Sequence, residues 1–146
     1  MQTKIQSKYM IVITILMYEV YSDFDVTFKK NQKTGDLNRK RNLDSVRQSI
    51  DLLLRTSFYE RKWHPEIGSA FPSTLFKQAD GITITMLKET ISNLLKTYEP
   101  RINVNYVNVY QKDELSVAAG EITIEINYSV INLGQDTFYF VVDRTR

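Results

Sequence analysis

Several residue types that build functional sites are scarce in this chain of 146 residues. It contains no cysteine, which excludes disulfides, thiolate metal sites and cysteine nucleophiles. Its single histidine, His64, leaves too few ligands for a histidine-rich metal site. A net charge of only +2 gives no strong attraction to nucleic acid or to a membrane surface. We therefore expect no metal ion, no cofactor, no nucleic-acid partner and no membrane partner.

Long apolar runs are scarce as well. The most apolar one, YMIVITILMYEV from Tyr9 to Val20, is shorter than the roughly 20 residues that a membrane-spanning helix needs. Lys4 and Lys8 precede it, as they would in a signal peptide. However, no small-residue cleavage site follows, and Glu19 interrupts the run. The pattern therefore argues against a signal peptide.

Two other interpretations of the N-terminus stay open. The run can form an added strand or short helix, or translation can begin at Met17. We treat residues 1–16 as a doubtful extension and residues 17–146 as one domain, which is long enough to bury a core. Hydrophobic residues at 42% and charged residues at 25% are ordinary for a globular protein.

Hydrophobic periodicity predicts helices and strands in separate parts of the chain. Apolar residues recur at helical spacing from Leu43 to about Thr56 and from Thr83 to Tyr98, where Pro100 ends the second helix. A phase switch after Tyr106 predicts a β-bulge or a twist of the strand. The predicted strands are Phe24–Lys30, Ile102–Val109, Glu121–Val130 and Thr137–Val142. We expect an α+β domain with two helices packed on one face of a small antiparallel sheet.

Two loops complete this prediction. Residues 31–42 are polar and carry four basic residues, so they are expected to be an exposed loop. The basic stretch from Lys29 to Arg41 could contact phosphate, but it lacks the interleaved aromatics and the second basic cluster of a nucleic-acid binder, which favours a solvated loop. Residues 57–78 combine prolines and a glycine with large apolar side chains, which must be buried in the domain's own core or against a neighbour. These side chains are Phe58, Trp63, Ile67, Phe71, Leu75 and Phe76.

Catalytic motifs are missing. The chain has no phosphate loop, dinucleotide-binding glycine pattern, HExxH sequence or nucleophile elbow. A serine–histidine–aspartate triad would depend on His64, beside Pro65 in an aromatic loop. A glycosidase needs two acids about 5–9.5 Å apart, but any chain with 17 acidic residues offers such pairs by chance. The candidate acids are Glu66, Asp80, Glu89 and Glu99. We expect no catalytic residue.

The corner Glu99-Pro100-Arg101 joins the second predicted helix to the next strand. In one interpretation Arg101 pairs with Glu99, or stabilises the exposed carbonyls at the helix end. In the other, Pro100 fixes the backbone and aims both charges outward, where a carboxylate and a planar guanidinium can bind a partner. Composition cannot choose between them.

Five sequence motifs occur together and in order, and they carry a family resemblance. They are YSDFD (Tyr21–Asp25), WHPEIGS (Trp63–Ser69), TLF (Thr74–Phe76), YEPRI (Tyr98–Ile102) and ITIEINYSVI (Ile122–Ile131). With them, the chain resembles the baseplate wedge, or sheath initiator, family of contractile phage tails, which has relatives in type VI secretion baseplates and contractile bacteriocins. The resemblance covers about Tyr18 to Val142. The extension 1–16 and the SVAAG turn (Ser116–Gly120) depart from it.

The resemblance implies a structural role in the virion, in the tail baseplate, after assembly in the host cytoplasm. It implies six copies per baseplate, with other wedge proteins and the tail sheath subunit as partners. In relatives the Glu-Pro-Arg element contacts the helical core bundle of the wedge, which maps the docking role onto Glu99, Pro100 and Arg101. Some relatives have been described as lysozyme-like, so a glycoside hydrolase acting on peptidoglycan is the alternative function.

The resemblance also implies that sheath assembly begins by strand addition to this protein. The last strand is the expected edge, because it ends the chain and is rich in aromatic residues that a partner would have to cover. Its residues are Thr137, Phe138, Tyr139, Phe140, Val141 and Val142.

Overall fold

A computed structural model of the protein describes residues 19–68, 81–111 and 121–143. The chain divides into two compact units, Met1–Val46 and Arg47–Arg146. The predicted boundary between residues 16 and 17 lies outside the described residues. The strands are β1 (Ser22–Phe24), β2 (Arg39–Arg41), β3 (Ile102–Gln111), β4 (Glu121–Val130) and β5 (Gly134–Asp143), and the helices are α1 (Leu43–Arg55) and α2 (Gly81–Tyr98).

The first unit contains a two-stranded antiparallel sheet of β1 and β2. The predicted strand Phe24–Lys30 is wrong, because β1 ends at Phe24 where that strand was to begin. Asp25 explains the end: its carboxylate accepts hydrogen bonds from the Thr27 amide at 2.9 Å and the Thr27 hydroxyl at 2.8 Å, which turns the chain. The predicted loop 31–42 is also corrected in part, since β2 lies within it.

Three basic residues of that loop lie close to carboxylates of their own unit. Arg41 is 3.2 Å from Glu19, and Lys40 is 3.7 Å from Asp25. Arg39 is 4.0 Å from Asp36. These exposed ion pairs neutralise much of the local positive charge.

The second unit contains a three-stranded antiparallel sheet with the order β3-β4-β5. The register shifts between Val104 and Tyr106, which leaves Asn105 as the extra residue of a bulge. The phase switch in the sequence predicted this bulge, but it lies before Tyr106 and not after it. As a consequence Tyr106 lies on the opposite face from Val104 and is 46% exposed.

One face of this sheet is apolar and buried, as the alternation in β4 predicts. The buried side chains on it are Ile102, Ile122, Ile124, Ile126, Tyr128, Val130 and Phe140. Helix α2 contributes Leu87, Ile91, Leu94 and Leu95 to the core, and α1 contributes Ile50, Leu53 and Leu54.

Two contacts attach α1 to β5. The Arg47 guanidinium donates to both carboxylate oxygens of Asp136 at 2.8 Å. About two helical turns further along α1, the Arg55 guanidinium lies 4.9 Å from the centroid of the Phe140 ring. The predicted α+β fold is therefore confirmed, with the small β1–β2 sheet as an addition. Neither of the two described helices is long and apolar enough to cross a membrane.

The loop that follows α1 closes on itself. The Tyr59 amide donates to the Pro65 carbonyl at 3.0 Å, and Gly68 lies so close to Ser57 that a Cβ would come within 2.6 Å of its backbone. Phe58 and Trp63 nevertheless remain 45% and 86% exposed. The prediction offered burial in the domain's own core or against a neighbour. For Phe58 and Trp63, burial in the domain's own core is wrong. Phe71, Leu75 and Phe76 lie outside the described residues.

Candidate functional site

The Glu99–Arg101 corner lies where α2 passes directly into β3. The Glu99 amide still donates to the Leu95 carbonyl at 2.9 Å, so the last helical turn is intact. Pro100 is exposed and follows at once, which ends the helix. The Arg101 carbonyl then accepts the Ile131 amide at 3.0 Å, which attaches the corner to the turn between β4 and β5.

The two charges of the corner bind each other. The Arg101 Nε donates to Glu99 Oε1 at 2.7 Å, and Arg101 Nη2 donates to Glu99 Oε2 at 2.7 Å. This parallel, two-bond arrangement is the strongest geometry of an arginine–carboxylate pair. The expectation that both charges point outward is wrong for Glu99, whose side chain is only 2% exposed. The Arg101 side chain retains 22% of its exposure.

Burial and hydrogen bonding act in opposite directions on Glu99. Burial by itself raises the pKa of the Glu99 carboxyl, since it disfavours the charged form. Hydrogen bonds from Arg101 and Ser49, together with the Arg101 charge, outweigh burial and hold the pKa below its ordinary value. Glu99 is therefore an ionised, internally bound carboxylate.

Ser49 was missed by sequence reasoning. It belongs to α1, fifty positions before Glu99, and no spacing or motif connects the two residues. Its hydrogen bond means that the corner contacts both helices, because Glu99 itself follows α2. Only the tertiary fold reveals this link.

The last strand lies at an edge of the sheet, as expected. In the described part of the chain, β5 pairs with β4 on one side and with no strand on the other. The two faces of β5 differ, since Phe140 is buried whereas Tyr139 and Val141 are 60% and 54% exposed. The six predicted residues from Thr137 to Val142 all lie within this edge strand, but they are not close to the corner in sequence or in strand register.

Two of the four candidate acids, Glu66 and Glu99, do not suit catalysis by a glycosidase. Its general acid needs a raised pKa. The pKa of Glu99 is lowered, and so is that of Glu66, which is held down by a backbone hydrogen bond and by His64 at 3.0 Å. Glu89 is an exposed residue of α2, and Asp80 lies outside the described residues. Residues 19–68, 81–111 and 121–143 contain no cluster of three potential metal ligands.

Comparisons with known proteins point to one family. The family model of the baseplate wedge protein gp25 matches residues 40–134. The baseplate wedge protein gp25 of Enterobacteria phage T4 is 30% identical over 121 residues, which cover 81% of this chain and 86% of the phage protein.

Two solved structures share the fold. A baseplate component of the anti-feeding prophage, determined with six-fold symmetrisation, has a TM-score of 0.60 and 13% identity over 86% of this chain and 87% of its own. A protein of Geobacter sulfurreducens with the provisional name of tail lysozyme has a TM-score of 0.60 and 21% identity over 70% of this chain and 90% of its own. At these identities the likeness concerns the fold alone.

Proposed function

The chain belongs to the baseplate wedge protein gp25 family, and from this premise we propose that it docks onto other wedge proteins and starts sheath assembly. It is a structural protein of the contractile-tail baseplate in the virion, assembled in the host cytoplasm. Six copies per baseplate accord with the six-fold symmetry applied to the related prophage baseplate. The partners are other wedge proteins and the tail sheath subunit.

The geometry of the corner is the observation that carries the docking role. Glu99 fixes the plane of the Arg101 guanidinium through two bonds of 2.7 Å, so binding a partner there costs little side-chain entropy. Part of Arg101 and the adjoining Pro100 remain at the surface. In this proposal Arg101 and Pro100 contact the partner, whereas Glu99 positions Arg101 and does not touch the partner itself.

Because Glu99 is buried, the docking test needs a variant that leaves no unpaired charge beside it. Reversing the charge in Arg101→Glu would place a second carboxylate against buried Glu99 and would unfold the corner. The double variant Glu99→Gln/Arg101→Gln removes both charges together and leaves neither uncompensated. The matched control is Asp51→Asn/Arg55→Gln, because Arg55 also binds Asp51 through its guanidinium, at 2.9 and 3.0 Å, but in an exposed position.

The test is a co-expression pull-down with the neighbouring wedge proteins. Wild type and the control variant should be recovered in the complex, whereas the corner variant should be lost although its circular dichroism spectrum is unchanged. Equal recovery of all three would mean that Glu99 and Arg101 are only a local latch. Failure of wild type itself to bind would instead contradict the assembly role.

The open edge of β5 supports the second part of the proposal. An edge strand presents unpaired amides and carbonyls, which a strand from another protein can extend. Exposed Tyr139 and Val141 would lie beside the incoming strand and help to set its register. We propose that Thr137 to Val142 receive an extension of the first sheath subunits.

Hydrogen exchange can test strand addition residue by residue. In the free protein, alternate amides of β5 that face away from β4 should exchange fast, because successive backbone groups point to opposite sides of a strand. Adding the sheath subunit should protect these amides. Protection elsewhere, with unchanged exchange in β5, would contradict strand addition while leaving the docking role untouched.

The protein is proposed to have no enzymatic activity. The observation that supports this is the lowered pKa of both Glu66 and Glu99, since neither can serve as a general acid near neutral pH. A peptidoglycan suspension should therefore not clear faster with the protein than with buffer. Clearing that disappears in Glu66→Gln, or in a Glu99→Gln variant whose circular dichroism spectrum is unchanged, would establish the hydrolase alternative.

A further inference from the structure

The face of the β3-β4-β5 sheet opposite the core has a single carboxylate at its centre. Glu125 lies in the middle strand, paired across to Asn108 on one side and Tyr139 on the other. Its oxygens accept hydrogen bonds from the hydroxyl of Tyr110 at 2.7 Å, of Tyr139 at 3.3 Å and of Tyr106 at 3.5 Å. We call Glu125 and these three tyrosines the tyrosine–glutamate surface.

The three rings are well placed to meet another molecule. Tyr106, Tyr110 and Tyr139 are 46%, 50% and 60% exposed. Glu125 nevertheless holds the hydroxyl of Tyr110 at 2.7 Å and that of Tyr139 at 3.3 Å. A tyrosine fixed in this way has little conformational entropy left to lose, and tyrosine is one of the residues most enriched in the energetic centres of interfaces. The surface is thus preorganised and still accessible.

The charge on Glu125 is not neutralised within the described residues. Its partners there are neutral hydroxyls and the Asn108 amide, and no salt bridge joins it to a cation. The sequences of β3, β4 and β5 contain Glu and Asp but no Lys or Arg. The chain as a whole carries +2, so this sheet is a local exception.

The hydrogen bonds around Glu125 leave room for a stronger donor. The contacts from Tyr106 at 3.5 Å and Asn108 at 3.4 Å are at the outer limit of hydrogen-bonding distance, so exchanging them loses little. A guanidinium would form shorter, charge-assisted bonds to the same oxygens. It would also lie against electron-rich ring faces, which attract cations.

We propose that the tyrosine–glutamate surface receives an arginine side chain from a segment of a partner protein. Charge complementarity selects a cationic occupant, and the flat guanidinium suits both the carboxylate and the rings better than an ammonium does. This surface is distinct from the Arg101 corner. It lies on a face of the sheet, and it shares Tyr139 with the β5 edge strand. It gives the protein a third point of contact in an assembly.

A short peptide can serve as the probe on the isolated full chain. An acetylated, amidated Gly-Arg-Gly-Arg-Gly peptide should shift the resonances of Glu125 and of Tyr106, Tyr110 and Tyr139 in NMR titrations. The same peptide with citrulline in place of arginine keeps the shape but lacks the charge, and it should not bind. Glu125→Gln should weaken arginine-peptide binding about tenfold, as expected for loss of a charge-assisted contact.

Glu89→Gln is the matched control, because it removes an exposed glutamate from α2 and should leave binding unchanged. If Glu125→Gln does not keep the wild-type NMR spectrum, peptide binding is tested with Tyr139→Ala instead. That variant removes a ring that is 60% exposed. Equal binding of the citrulline peptide, shifts confined to other surfaces, or full binding by either surface variant would overturn the proposal.

Discussion

Glu99 is a charged side chain in a position that ordinarily excludes charge. It is 2% exposed, and an isolated carboxylate there would cost several kcal/mol in lost hydration. Two bonds from Arg101 and one from Ser49 replace the water that Glu99 gives up. Each charge of the pair therefore needs the other in the folded corner, whatever the pair does in assembly.

Replacing Glu99 with glutamine should destabilise the protein. The variant keeps the shape but leaves the Arg101 guanidinium without its counter-charge. Because Arg101 is 22% exposed, the free energy of unfolding should fall by about 3 kcal/mol, the low end for a broken buried pair. Urea unfolding followed by circular dichroism measures this change. Glu89→Gln, on the exposed side of α2, should change it by less than about 0.5 kcal/mol. Equal midpoints for the two variants would show that the pair contributes nothing to stability.

At the scale of the elements, Asp136 connects α1 to the sheet. Its carboxylate accepts two bonds from Arg47 of α1 and one from the buried Tyr128 of β4, all at 2.8 Å. The Arg47 guanidinium and the Tyr128 hydroxyl thus share one acceptor, which lies on the edge strand β5. This network fixes the position of β5, and hence of its open edge, relative to the helix.

Asp136→Asn should loosen that connection. An amide offers a single oxygen and turns its NH2 group toward donors, so a loss of about 1.5–3 kcal/mol is expected. Asp51→Asn is the control, because it breaks a two-bond Arg55 contact that is exposed and local to α1, worth about 0.3–0.5 kcal/mol. Thermal unfolding of both variants compares the two. A larger effect for Asp51→Asn would contradict the connecting role of Asp136.

At the scale of the whole molecule, Glu99 and Asp136 make stability depend on pH. Burial raises the pKa of Asp136, but bonds from Arg47 and Tyr128 outweigh it and lower the pKa below its ordinary value of 3.8. The ordinary value for Glu99 is 4.5. Because the unfolded chain binds protons at a higher pH than the folded one, both groups stabilise the fold above these ordinary values.

The free energy of unfolding should therefore be constant near neutral pH and decrease as the pH falls from about 5 toward 3. Urea titrations at a series of pH values measure this decrease. It should be smaller in Glu99→Gln, which has lost one of the carboxyl groups responsible for it. An identical decrease in the variant would show that Glu99 does not contribute to the loss of stability at low pH.

Much of the architecture follows from local sequence. The periodicity from Leu43 and from Thr83 predicts both helices to within two residues at each end, because a helix must turn its apolar stripe toward the core. The alternation in β4 identifies the buried face of the sheet for the same reason. The short strand β1 was displaced in the prediction, since a side-chain bond at Asp25 ends it against the hydrophobic pattern.

The sequence alone determined the two helices, the three strands of the larger sheet, its buried face and, through its ordered motifs, the family. Only the tertiary structure decided how the charges are used. It brought Ser49 to Glu99, turned Arg101 back onto that carboxylate, and gathered three tyrosines around Glu125. The physical reason is range: periodicity reports the environment of neighbours along the chain, whereas hydrogen-bond partners are chosen across space.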